Sequence, residues 1–268
     1  MQPDGPEFPP VEPDLEVAAV TEPLPEVTAV QPAREPFWGY TDLALMIGLL
    51  SASTALMLVV VGFIAWFNPR LRDDPTPLAL PVQFSLYGFL YVCFRLVFGL
   101  KYHRPVFESL GWRRSRFNLA GAAVGGGLLA LAVSAFASLL HTPKVASPID
   151  KLVDTPLSFA VVGVLAIVAA PLFEELFFRG FLQPLLSRTF GVVAGILVTA
   201  VLFGSLHAPE YEWAWQYAAA VAVAGAVFGW VRARSNSIIP STVMHGCFNA
   251  VSVIALAVTK YSKYKLDS

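Results

Sequence analysis

Long apolar segments dominate this chain and limit what it can fold into. A helix needs about 20 mostly apolar residues to cross a bilayer. Runs of about that length without an acidic or basic residue, histidine aside, occur at 43–69, 78–94, 117–140, 156–173, 189–206, 213–231 and 235–259. The pattern predicts an all-α, polytopic membrane helix bundle of about seven transmembrane helices, a multi-pass protein of the cell membrane. A soluble α-helical protein is the alternative, but 56% hydrophobic and 14% charged residues disfavour it.

The first 36 residues have a different composition. They contain nine prolines, eight acidic residues and one arginine, Arg34. Such a segment cannot bury enough apolar surface to fold, so residues 1–36 are predicted to be a disordered, acidic, proline-rich tail. We expect its removal to leave membrane insertion unchanged.

Charge outside the apolar runs gives information on orientation and partners. The strongest basic cluster lies at 101–116, which favours a cytoplasmic position for that loop and for the amino terminus. The Lys260–Lys265 tail would then lie on the opposite side. The net charge of −1 gives no reason to expect a nucleic-acid partner, and the expected surroundings are the lipid bilayer.

Three formal charges occur directly after the uncharged run 156–173, in the segment "EELFFR". Charged residues inside a membrane are costly and mark a function or a buried pair. Glu175 and Arg179 are at i and i+4, so they share a helix face and can form an ion pair. Glu174 is rotated by about 100° from Glu175. It is therefore the candidate for an unpaired carboxylate that acts as a general base or acid.

Two other apolar runs carry polar groups at a similar depth. His207 ends "FGSLH", while "HGCFN" places His245 and Asn249 on one helix face. At a rise of 1.5 Å per residue, Glu174 and His207 both lie about 20 Å from the connection between their helices. His245 and Asn249 lie roughly 12 and 18 Å deep on a third helix. We expect the four side chains to converge, although an ion pair or a hydrogen-bonded core histidine can also be purely structural.

The three motifs together resemble those of a known family. "EELFFR" (174–179), "FGSLH" (203–207) and "HGCFN" (245–249) are similar to the EExxxR, FxxxH and HxxxN motifs of the CPBP family. This is the CAAX-protease and bacteriocin-processing (Abi) group of intramembrane endopeptidases. "FESLGWR" (107–113) resembles a segment that precedes the first motif, so the resemblance covers about 105–257.

The resemblance implies an activity and a role for each residue. It implies hydrolysis of a peptide bond near the carboxyl end of a membrane-associated peptide or protein substrate. Its expected site consists of a water-activating pair (Glu174, His207), an oxyanion-stabilising pair (His245, Asn249) and a supporting pair (Glu175, Arg179). Residues 37–104 would be additional N-terminal helices, and 105–268 the CPBP-like protease core.

The cofactor prediction has an alternative. No cofactor is expected. Zinc is the alternative, with Glu174, His207 and His245 as its ligands, although the sequence has no HExxH motif.

The alternative to an enzyme is a non-catalytic membrane scaffold or bacteriocin-immunity factor with a retained polar core. A scaffold needs only the Glu175–Arg179 pair, so the presence of all four catalytic-type side chains favours the enzyme. A transporter is less favoured because no internal repeat is evident.

Overall fold

The computed structural model describes residues 36–74, 76–143, 145, 152–153 and 155–266. All regular secondary structure in these ranges is helical, which confirms the all-α prediction. The predicted disordered tail lies, up to residue 35, outside the described residues. The described residues form one compact unit.

Eleven α-helices occur in the described ranges. In chain order they are α1 (Tyr40–Phe67), α2 (Pro69–Asp73), α3 (Thr76–Phe94), α4 (Val106–Ser109), α5 (Leu119–Leu139), α6 (Pro156–Val164), α7 (Ala170–Glu175), α8 (Gln183–Phe190), α9 (Val192–His207), α10 (Trp215–Ser235) and α11 (Ile239–Leu266). Three π-helical segments interrupt or extend them. Arg95–Lys101 continues α3. The segment 156–190 is one continuous helical span, called the motif helix below. Within it, a first π-helical segment, Leu165–Ala169, joins α6 to α7, and a second, Leu176–Leu182, joins α7 to α8.

Six helical segments of the described residues are long and apolar enough to cross a membrane. They are Tyr40–Phe67, Thr76–Lys101, Leu119–Leu139, Pro156–Phe190, Val192–Tyr211 and Ile239–Lys260. The remaining predicted run, 213–231, corresponds to α10, which has 21 residues and is about 32 Å long, but is less apolar. The six candidate spans agree to within one with the predicted number of about seven. The chain is a multi-pass membrane protein.

Close contact between α11 and the first π-helical segment holds the motif helix in place. Pro171 has no N–H group to donate to the preceding turn, so a backbone carbonyl there loses its usual partner. The Ile167 carbonyl faces α11 at Gly246, where a methyl group would lie only 2.6 Å from its oxygen. The glycine of "HGCFN" is therefore required by the approach of two backbones, as is common between membrane helices.

The start of α1 is anchored to the motif helix. The Trp38 indole N–H donates to the Phe181 carbonyl at 3.1 Å, and the two rings stack 5.8 Å apart. Asp42 is buried and accepts hydrogen bonds from Lys101 Nζ (2.5 Å) and the Tyr102 hydroxyl (2.7 Å). Burial and the bond to Asp42 raise the pKa of Tyr102, so its hydroxyl stays a donor at neutral pH. Residues before α1 and after α3 are thus joined to the centre of the bundle.

We predict that Gly246→Ala separates α11 from the motif helix. The added methyl group would overlap the Ile167 oxygen, and overpacking of this kind costs about 1–3 kcal/mol. Thermal unfolding in detergent measures the change. Gly62→Ala in α1 is the control, because nothing lies within 4 Å of a methyl group there. A Gly246→Ala protein as stable as the Gly62→Ala protein would contradict this account of the packing.

Candidate active site

The predicted Glu175–Arg179 ion pair is formed and is completely buried. Arg179 Nη1 lies 2.9 Å from Glu175 Oε1, and both side chains are 0% exposed. Arg179 lies in the second π-helical segment, which follows α7 directly. The short Arg–carboxylate contact compensates part of the cost of removing both charges from water.

Helices α9 and α10 provide the surroundings of Arg179. Its Nη2 donates to the Gly225 carbonyl at 2.9 Å. Its guanidinium lies over the Phe203 ring at 4.4 Å and over the Phe228 ring at 5.4 Å. Cation–π contacts are strongest when both groups are desolvated, as they are here. One arginine thus contacts three helical segments.

His245 connects the two glutamates. Its Nδ1 lies 3.2 Å from Glu175 Oε1, and its Nε2 lies 3.7 Å from Glu174 Oε2. The imidazole is 4% exposed and stacks on Phe228 at 4.6 Å. The motif histidine of α11 is therefore held between both carboxylates of the "EELFFR" segment.

The contacts of His245 determine which ring nitrogen faces each glutamate. An ionised carboxylate only accepts hydrogen bonds, so Nδ1 of His245 is the donor to Glu175. Nε2 is then the ring nitrogen that faces Glu174.

His207 lies across an aromatic ring from His245. The Phe203 ring is 4.6 Å from the His207 ring and 5.7 Å from the His245 ring. His207 Nδ1 lies 2.7 Å from the Phe203 carbonyl, which can only accept, so Nδ1 carries the proton. In the neutral ring this leaves Nε2 as the unprotonated nitrogen, the form in which a histidine can accept a proton.

Asn249 contacts the first π-helical segment. Its Nδ2 donates to the Ala166 carbonyl at 2.8 Å. The residue lies one turn after His245 on α11, as the HxxxN spacing requires, and its second N–H has no described acceptor. Asn249 therefore joins α11 to the motif helix and keeps one donor for another group.

The polar groups in and around the site differ in how deeply they are buried. Arg179 and Gln183 are 0% and 3% exposed, and Gln183 donates to the Gly229 carbonyl of α10 at 2.9 Å. Glu174, by contrast, retains 20% side-chain exposure, and Glu210, just after α9, is exposed. The site is closed on the side of α8 and reachable from the end where α9 stops.

Two residues near Glu174 are absent from the sequence-based assignment. Tyr87 of α3 is 9% exposed, and its ring stacks on Phe173, the residue before Glu174, with centroids 4.9 Å apart. The Glu210 carboxylate interacts electrostatically with His207 and Glu174. A tyrosine in the middle of an apolar run, far from the bilayer interfaces where tyrosines are common, was the available clue to the first. Glu210, at i+3 from His207, gave no comparable pattern.

The alternative zinc ligands, Glu174, His207 and His245, come from three different helices. Among the described residues, no group of three or more His, Cys, Asp or Glu side chains is placed to hold a metal ion. Glu174 and His245 are close to each other, but His207 Nδ1 is used by the Phe203 carbonyl. Metal-free hydrolysis therefore stays a prediction to be tested by experiment.

Comparison with known families agrees with the resemblance of the motifs. The model of the family "Type II CAAX prenyl endopeptidase Rce1-like" matches residues 156–251. The matched family is a protease family. All three motifs lie within these residues, whereas the "FESLGWR" segment lies before them, so the match is shorter than the predicted 105–257. No curated protein and no solved structure gives a significant match.

We predict a large loss of stability for Arg179→Met. The change leaves Glu175 buried without its counter-charge, which costs about 3–5 kcal/mol. The double variant Glu175→Gln/Arg179→Met should recover most of the loss, because it removes both charges. Arg72→Met is the control: Arg72 forms an exposed pair with Asp73 at 3.7 Å, and its loss should cost less than about 1 kcal/mol. Unfolding midpoints in detergent report the result, and a double variant as unstable as Arg179→Met would contradict it.

Proposed function

We propose that this protein is an intramembrane endopeptidase that hydrolyses a peptide bond with a water activated by Glu174. One observation carries the proposal: the two adjacent glutamates have different environments. Glu175 is completely buried against Arg179 and His245, whereas Glu174 is partly exposed and faces His245 at the reachable end of the site. A general base must reach both water and substrate. The family match over 156–251 supports the same reaction class.

The proposed reaction begins with proton transfer from water to the Glu174 carboxylate. The resulting hydroxide adds to the carbonyl carbon of the scissile bond and produces a tetrahedral oxyanion. The proton then moves from Glu174 to the amide nitrogen, the C–N bond breaks, and a carboxylic acid and an amine form. The acid gives its proton to the amine or to water as the products leave. His207, with its unprotonated Nε2, is the proposed partner of Glu174 in these proton transfers.

His245 and Asn249 are the proposed donors to the oxyanion. The bond to Glu175 fixes the His245 ring, so a proton on Nε2 points into the space beside Glu174. Asn249, on the same face of α11, keeps one N–H beyond the bond to Ala166. Fixed donors stabilise charge that develops in the transition state because they need no reorganisation.

The proposed substrate is a membrane-associated peptide or protein. The family name refers to prenylated CAAX proteins, and the reachable end of the site would admit a chain segment that enters from the bundle end where α9 stops. A non-catalytic scaffold remains the alternative. It would require the Glu175–Arg179 pair and leave the partly exposed Glu174 without a role.

We predict that Glu174→Gln abolishes proteolysis without unfolding the protein. Loss of a general base costs on the order of 10²–10⁴ in rate. Glu175→Gln is the matched control, one residue away, and should lower the unfolding midpoint because Arg179 loses its counter-charge. A fluorogenic peptide assay and thermal unfolding are measured for both variants. Rapid turnover by a folded Glu174→Gln protein would refute the assignment.

The same variant can identify the substrate. A folded but inactive Glu174→Gln protein should retain bound substrate, which accumulates uncleaved. Membrane proteomes of cells with wild type and with the variant are compared for proteins that are longer or enriched in the variant. If no protein differs between wild type, Glu174→Gln and an empty vector, the scaffold alternative gains support.

We predict that chelation leaves the activity unchanged. The proposed reaction uses side chains alone, so exhaustive chelation should not lower the rate, and the purified protein should contain less than one zinc per chain. Zinc analysis and a peptide assay before and after chelation decide the point. Stoichiometric zinc, with activity restored only by its return, would assign Glu174, His207 and His245 as ligands instead.

A further inference from the structure

Tyr87 of α3 brings the N-terminal helices to the candidate active site. Its ring stacks on Phe173 with centroids 4.9 Å apart and an interplanar angle of 7°. Phe173 directly precedes Glu174, so the Tyr87 side chain packs against the helical turn that carries the Glu174 carboxylate. Tyr87 is 9% exposed, so little water competes for this hydroxyl.

The position of Tyr87 is unusual for a membrane tyrosine. It lies about 17 Å along α3 from Thr76, well inside the span rather than at an interface. Its hydroxyl also interacts with Gln83, one turn earlier on the same helix. A buried hydroxyl at this depth needs a partner, and a phenylalanine would stack on Phe173 equally well without one. The ring alone therefore does not account for a tyrosine here.

We propose that Tyr87 is a positioning residue that donates a hydrogen bond to the Glu174 carboxylate and fixes it for attack on water. The proposal rests on the function proposed above for Glu174. His245 of α11 faces the Glu174 carboxylate at 3.7 Å, and Tyr87 would hold it from α3. α3 lies outside the residues that match the protease family, so the site extends beyond the matched segment.

The first test separates the hydroxyl from the ring. Tyr87→Phe keeps the stack on Phe173 and removes the donor. We expect kcat to fall by about 10-fold to 100-fold, with KM and the unfolding midpoint unchanged, because a hydrogen bond to a charged group is lost. The control is Tyr91→Phe, one turn later on α3, whose ring is 37% exposed and lies against Phe107. A Tyr87→Phe enzyme as fast as wild type would overturn the proposal.

The second test does not depend on proteolysis. Hydrophobic carbodiimide reacts with membrane-embedded carboxyl groups, and mass spectrometry quantifies labelling at Glu174. We expect several-fold faster labelling in Tyr87→Phe than in wild type or Tyr91→Phe, because the carboxyl group has lost a partner. Unchanged labelling would overturn the role of Tyr87. Absence of peptide cleavage by wild type, with labelling still dependent on Tyr87, would overturn the protease function and leave the contact in place.

Discussion

The buried pair of Glu175 and Arg179 is the interaction on which the arrangement of the core helices depends. Neither charge has access to water, so each depends on the other and on neighbouring protein groups for stabilisation. Arg179 lies over the Phe203 ring of α9 and donates to the Gly225 carbonyl of α10. Glu175 contacts the His245 ring of α11. A shift of any of these helices would expose one of the two charges or remove one of its partners. The pair therefore fixes the relative positions of four helical segments.

The same constraint produces a division of roles between two identical side chains. Adjacent residues on a helix point about 100° apart, so only one of the two glutamates can face Arg179. Glu174 is directed instead toward the less buried end of the site, where it faces His245. The buried pair makes this part of the bundle rigid, and Glu174 lies beside it with 20% of its side chain exposed. In the proposed reaction, this separation would hold the general base in place without burying it completely.

The sequence predicted the local features of the fold and failed on contacts between distant segments. Apolar run length was enough for the spans, and the i, i+4 spacing was enough for the Glu175–Arg179 pair. Helical periodicity does not describe π-helical segments, so it could not indicate that Asn249 binds the Ala166 carbonyl or that Gly246 meets Ile167. Tyr87 was missed for another reason: its rotation toward Glu174 depends on how α3 packs.

The bond from Trp38 to the Phe181 carbonyl has a consequence for the modular description of this chain. The family match begins at residue 156, yet the backbone of its central helix is held by an indole more than a hundred positions earlier. A protein cut to the boundaries of the match would expose that carbonyl and one face of the Phe181 ring to lipid. A fragment that keeps this bond must therefore start before α1, at or before Trp38.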